Sequence, residues 1–128
     1  MALAWSVLIG KLQTKVDLAR RNALPGGFNR SCVIFTGAYE TSSHLFLNCA
    51  VTWQNWMRIY GWMGLQLAMP DQVDTHFMQH GMGMIRNKKV GMALSMIWVA
   101  TVGIIWNTRN NVIFRGEEVL WILFKLWI

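Results

Sequence analysis

The stretch Ser31-Cys32-Val33-Ile34-Phe35-Thr36-Gly37-Ala38-Tyr39-Glu40-Thr41-Ser42-Ser43-His44-Leu45-Phe46-Leu47-Asn48-Cys49 holds both cysteines of this 128-residue chain. Its frame is Cys-x2-Phe-x8-His-x4-Cys. Structural zinc takes four soft or borderline ligands in a tetrahedron, and Cys-x2-Cys followed by His and Cys is a usual supply. Cys32, His44 and Cys49 carry that chemistry, whereas Phe35 in the fourth position cannot bind a metal. Three ligands with water in the open position form the ligand count of a catalytic zinc site, for which Glu40 is the one general base nearby. The competing reading makes Cys32 and Cys49 small buried thiols and His44 a capping residue.

Working outward from this window, the periodicity is helical. Trp5, Leu8, Ile9 and Leu12 recur at helical spacing and predict a first helix over residues 2–12. Thr14 with Asp17 three residues later is a capping-box variant opening a short helix from Lys15 to Asn22, which Leu24-Pro25-Gly26-Gly27 ends. Residues 32–43 show no clean period. A helix should begin near His44 and run through Trp53, Trp56, Met57 and Tyr60, an aromatic stripe read as core, to a stop at Gly61. Asp71 should cap a helix from Gln72 to His80, stopped by Gly81-Met82-Gly83. A long apolar helix spans Val90 to about Phe114, and Glu117-Glu118 open a last amphipathic piece carrying Leu120, Leu123, Phe124 and Trp127. That piece meets Ile128 without a capping signal, which suggests truncation. The expected fold is mostly α, a small multi-helix domain with a short, irregular, knuckle-like segment between helices. Residues 1–62 form the motif-bearing region and residues 63–128 a helical extension.

Composition narrows the function classes. Hydrophobic residues make up 54% of the chain, with eight Trp and nine Met, and charged residues only 14%. Disorder is excluded for most of it. The net charge is +6, and five basic residues stand in the first thirty positions against Asp17 alone. Such an excess favours phosphate backbones or anionic surfaces, with Lys11, Lys15, Arg20 and Arg21 as the candidate nucleic-acid contacts. Arg86-Asn87-Lys88-Lys89 is a second basic cluster. Two cysteines make no disulfide framework, and with a His between them they suit a metal in a reducing, intracellular compartment, nucleus or cytoplasm. No signal peptide is read at the N-terminus. Val90–Trp106 is free of charge over seventeen residues, the lower edge for a membrane span, and a buried core helix fits as well. His76 and His80 stand at i, i+4 on a helix and could pair on a metal, although two exposed polar positions explain them better. Nucleophile elbow, phosphate loop and dinucleotide fingerprint are all absent, so no enzyme is expected.

Taken in order, several phrases resemble the plant reverse-transcriptase zinc-binding domain (the zf-RVT family) of LINE-type non-LTR retrotransposons. The family opens with an aromatic-rich helix ending in a phrase like Arg-Leu-Pro-Thr-Lys; here Trp5-Ser-Val-Leu-Ile-Gly-Lys-Leu-Gln-Thr-Lys15 stands in that place. Its zinc motif runs Cys-Pro-x-Cys, eight residues, His-Leu-Phe-x-x-Cys, then a Trp. This chain has Cys32, His44-Leu45-Phe46-Leu47-Asn48-Cys49 and Trp53 in that register. Ile105-Trp106-Asn107-Thr108-Arg109-Asn110 through Phe114 resembles a further phrase of these plant proteins. The resemblance covers residues 3–62, with a second block at 97–115. It implies a non-catalytic module with zinc as cofactor, Cys32, His44 and Cys49 as ligands, and nucleic acid or the reverse-transcriptase and ribonuclease-H-like domains of a parent polyprotein as partners. The departures are Phe35 for the second Cys, Val33 for Pro and Gln13 for Pro. They suggest a degenerate copy. The rival readings are a small membrane protein with one span near 90–106 and a metal-free helical interaction fragment.

Overall fold

A computed structural model describes residues 2–8, 10, 12–21, 30–34, 38–66, 68–81 and 88–116. Among these the chain is mostly helical and has no strand. The helices are α1 (Ala2–Leu8), α2 (Lys15–Arg20), a π-helical turn (His44–Asn48), α3 (Ala50–Met63), α4 (Val73–Gly81) and α5 (Lys88–Arg115). The expected final helix from Glu117 lies outside the described residues.

Local chemistry sets the ends of these helices. The expected first helix to residue 12 stops at Leu8, because Gly10 takes a left-handed φ of 71° and its amide donates to the Val7 carbonyl. The Thr14–Asp17 box forms as read: the Thr14 hydroxyl donates to Asp17 Oδ2 at 2.7 Å and accepts from the Asp17 amide at 3.4 Å. The stop expected at Gly61 falls instead at Gly64. Its φ of 69° lets the chain turn back while Leu65 N donates to the Tyr60 carbonyl.

Between α2 and the π-turn the chain is irregular. One antiparallel bridge, Ser31 with Tyr39, closes it through Cys32 N to Ala38 O and Glu40 N to Arg30 O. The π-turn then buries Leu45, Phe46 and Leu47 completely. Its wider winding leaves two carbonyls to side chains of α3: Thr52 Oγ1 donates to Leu45 O at 2.9 Å and Trp56 Nε1 to Phe46 O at 2.8 Å. These two bonds orient α3. Trp56 and Tyr60 go into the core as expected, but the inward face starts at Thr52 and leaves Trp53 46% exposed, correcting its place in the core stripe.

The core joins both halves of the sequence. α5 packs on α4, α1 and the π-turn, and α1 also packs on α4. Phe46 faces Trp106 with ring centroids 6.5 Å apart. Among the described residues α5 is the one helix long and apolar enough to cross a membrane. Its inner face (Leu94, Trp98, Val102, Ile105) is buried, and Arg109 is buried against Glu40. Its outer face exposes Met92, Met96 and Ile104.

Candidate metal centre

His-x4-Cys is an awkward spacing on an α-helix, where residues five apart point about 140° away from each other. The π-turn removes that difficulty. Its i→i+5 bond, Cys49 N to His44 O at 2.6 Å, stacks residue 49 over residue 44. The bridge at Ser31 brings Cys32 to the same place. The thiols of Cys32 and Cys49 and a ring nitrogen of His44 all lie within 4.8 Å of one another. A tetrahedral ion with sulfur ligands at about 2.3 Å and nitrogen at about 2.0 Å holds its donors roughly 3.5–3.8 Å apart, inside the spacing seen here.

The donors are suited to a cation. Both cysteines are fully buried, and neither is in a disulfide. The adjoining Cys32 thiol draws the Cys49 pKa down to about 6 against the upward push of burial, and the Thr52 and Val51 amides at the start of α3 help. His44 Nε2 is buried with no hydrogen-bond partner. Leaving such an atom unsatisfied costs about 1–3 kcal/mol, which a ligand would offset. The three residues therefore fit a metal ion of the kind bound by thiolate and imidazole. Phe35 lies outside the described residues.

The frame around the cluster was not foreseen. Glu40, read from the sequence only as a nearby general base, is completely buried. Its carboxylate accepts from Arg109 Nε at 3.1 Å and Nη2 at 2.8 Å, and from the Lys15 amide at 2.9 Å, while its carbonyl accepts from the Val16 amide. One side chain thus caps α2 and ties it to α5, and the Arg109 guanidinium stacks on Trp106, 4.4 Å from the ring centroid. The signal was present: Glu40 is the lone acid between Asp17 and Asp71, and Arg109 is the lone charge from Val90 to Phe114.

Lys15 needs a correction as a nucleic-acid contact. It is 6% exposed, and its Nζ donates to the Ser31 carbonyl beside Cys32 at 2.8 Å. Burial lowers its pKa, with Glu40 opposing. Its ammonium serves the fold next to Cys32. Arg20 and Arg21 are exposed, Arg20 beside Asp17 at 3.9 Å, and Lys11 lies outside the described residues.

His76 and His80 are also corrected. Instead of exposed positions they are fully buried and belong to a separate network. Trp98 Nε1 donates to His76 Nδ1 at 3.0 Å, and an indole N–H can only donate. Neutral His76 therefore carries its proton on Nε2 and donates to the Tyr60 hydroxyl at 2.5 Å. Tyr60 passes its own proton toward His80 Nε2 at 2.6 Å, and His80 Nδ1 donates to the Leu94 carbonyl at 3.3 Å. The chain runs in one direction with every member satisfied. Metal on His76 Nε2 would leave Nδ1 facing a donor, so this pair is arranged for structure. Burial, then the neighbouring His80, holds the His76 pKa down at about 3; burial lowers that of His80 and raises that of Tyr60.

Compared with protein-family models, curated proteins and solved structures, the chain matches none. The functional reading rests on its own residues.

Proposed function

We propose that this chain is a non-catalytic zinc-binding module of the retrotransposon reverse-transcriptase type, with Cys32, His44 and Cys49 as ligands and Arg20 and Arg21 turned toward nucleic acid. The observation that carries the reading is the convergence of two buried thiols and an imidazole around a buried nitrogen that has no partner. The contact between Phe46 and Trp106 supports it further, because it joins the two sequence blocks in which the resemblance resides. Zinc suits this donor set, since thiolates and imidazole select it over the hard cations. The metal would pin the segment containing Cys32 to the start of α3, a role in holding the fold.

Metal analysis of the purified chain tests this directly. One zinc per protein is expected. Cys49→Ser should weaken binding by roughly 100-fold, about the share of one ligand in a structural site. Zinc-free protein that takes up none from buffered zinc solutions would sink the proposal. The nucleic-acid half is read from salt. Affinity for single-stranded or duplex nucleic acid should fall steeply between low and physiological salt, and Arg20→Gln with Arg21→Gln should flatten the slope by about two. Affinity independent of salt would remove that half alone.

A further inference from the structure

We infer that the outer face of α5 lies on an anionic lipid surface, with Met92, Met96 and Ile104 at the acyl boundary and Lys88, Lys89 and Arg115 among the headgroups. The observations behind this are independent of the metal cluster.

Spacing defines the face. Met92, Met96, Ala100 and Ile104 recur every four residues, so they share one side of the helix over about 18 Å. All four are exposed, Met92 by 61% and Met96 by 72%. Phe114, 75% exposed, falls in line with Met96 about five turns further on. No charge interrupts the strip from Met92 to Ile104. On the opposite side Leu94, Trp98 and Val102 are buried, and Arg109 is buried against Glu40. Crossing a bilayer would carry that ion pair into hydrocarbon, which is costly, whereas lying along the surface leaves it where it is.

Charge selects the occupant. α5 contains no Asp or Glu. Lys88 and Lys89 stand exposed in its first turn, and Arg115, also exposed, ends it about 40 Å away. Lysines in a first turn oppose the helix dipole, which favours acids there, and an anionic surface offsets that opposition. A second copy of the chain packed face to face on α5 would bring no carboxylate to these bases, because the helix holds none. A nucleic acid would meet the bases but not the uncharged strip between them. An acidic bilayer meets both, with headgroups for the cations and acyl chains for the methionines, as an interfacial helix requires. The net charge of +6 draws the whole chain the same way.

Cosedimentation of the full chain with mixed phosphatidylcholine–phosphatidylserine vesicles tests this. Affinity should exceed that for pure phosphatidylcholine vesicles by at least about tenfold, and an alkaline wash should release the chain. Lys88→Gln with Arg115→Gln should weaken binding by about 30-fold, at roughly fivefold per base. Met92→Gln with Met96→Gln should weaken it by at least about tenfold, with helix content unchanged by circular dichroism because glutamine suits an exposed helix position. Undiminished binding by the methionine variant would make the contact general cation adhesion and overturn the inference. So would equal binding to neutral vesicles, no binding to either, or retention through the alkaline wash, which marks a span. Self-association that the methionine variant loses, with no vesicle binding by the wild type, would assign the face to a second copy instead.

Discussion

Two imidazole clusters adjoin the two ends of α3, and they differ in one respect. At the Tyr60 end, every polar atom of His76, His80, Tyr60 and Trp98 named above has a partner, and the proton order is fixed from Trp98 to the Leu94 carbonyl. At the Cys49 end, His44 Nε2 is buried with none. Both clusters contain residues that bind metals. Closeness of such residues does not distinguish a site from a scaffold, but the accounting of their hydrogen bonds does.

The sharpest way to break this comparison is to disturb each cluster and watch both stability and metal. Arg109→Ala leaves the Glu40 carboxylate buried without its ion pair, and should cost about 3–5 kcal/mol of unfolding free energy. Because Glu40 adjoins the bridge segment that carries Cys32, zinc affinity should fall too; denaturant midpoints and zinc competition read the two effects. Tyr60→Phe should cost about 2–3 kcal/mol by stranding His76 Nε2–H and His80 Nε2, and leave zinc affinity unchanged. Equal loss of zinc in both variants would mean that the clusters are not separate.

The most gradual effect is acid dependence. His76 is held neutral in the folded chain, with a pKa of about 3 against 6.5 for the free side chain. The unfolded chain binds the extra proton below pH 6.5. The stability due to neutral His76 is therefore complete above that pH and falls as pH drops toward 3, by up to about 1.4 kcal/mol per pH unit. Denaturant midpoints in metal-free protein between pH 7 and 4 should show this slope, and His76→Gln should flatten it. An unchanged slope in that variant would assign the effect elsewhere.

Much of the fold was legible. The Thr14–Asp17 cap, the apolar run from Val90 and the placement of Trp56 and Tyr60 followed from local spacing and from side chains that satisfy their own helix. The site was half legible: Cys32, His44 and Cys49 could be named, but the π-turn that aligns them could not, because its carbonyls are satisfied by Thr52 and Trp56 rather than within the turn. Trp53 was misplaced for the same reason. Lys15 read as surface charge because the Ser31 carbonyl that buries it is sixteen residues away.

The sequence by itself determined where the helices lie, the Thr14–Asp17 cap and the three metal-type donors, since these depend on neighbours within a few turns of chain. Only the tertiary structure decided which polar groups are spent. Glu40 and Arg109 are 69 residues apart, and His76 and Trp98 are 22 apart. Burial turns each such pairing into a requirement, because a polar group removed from water must find its partner wherever the fold places one. His44 is set apart from His76 and His80 by what this packing leaves its Nε2 without.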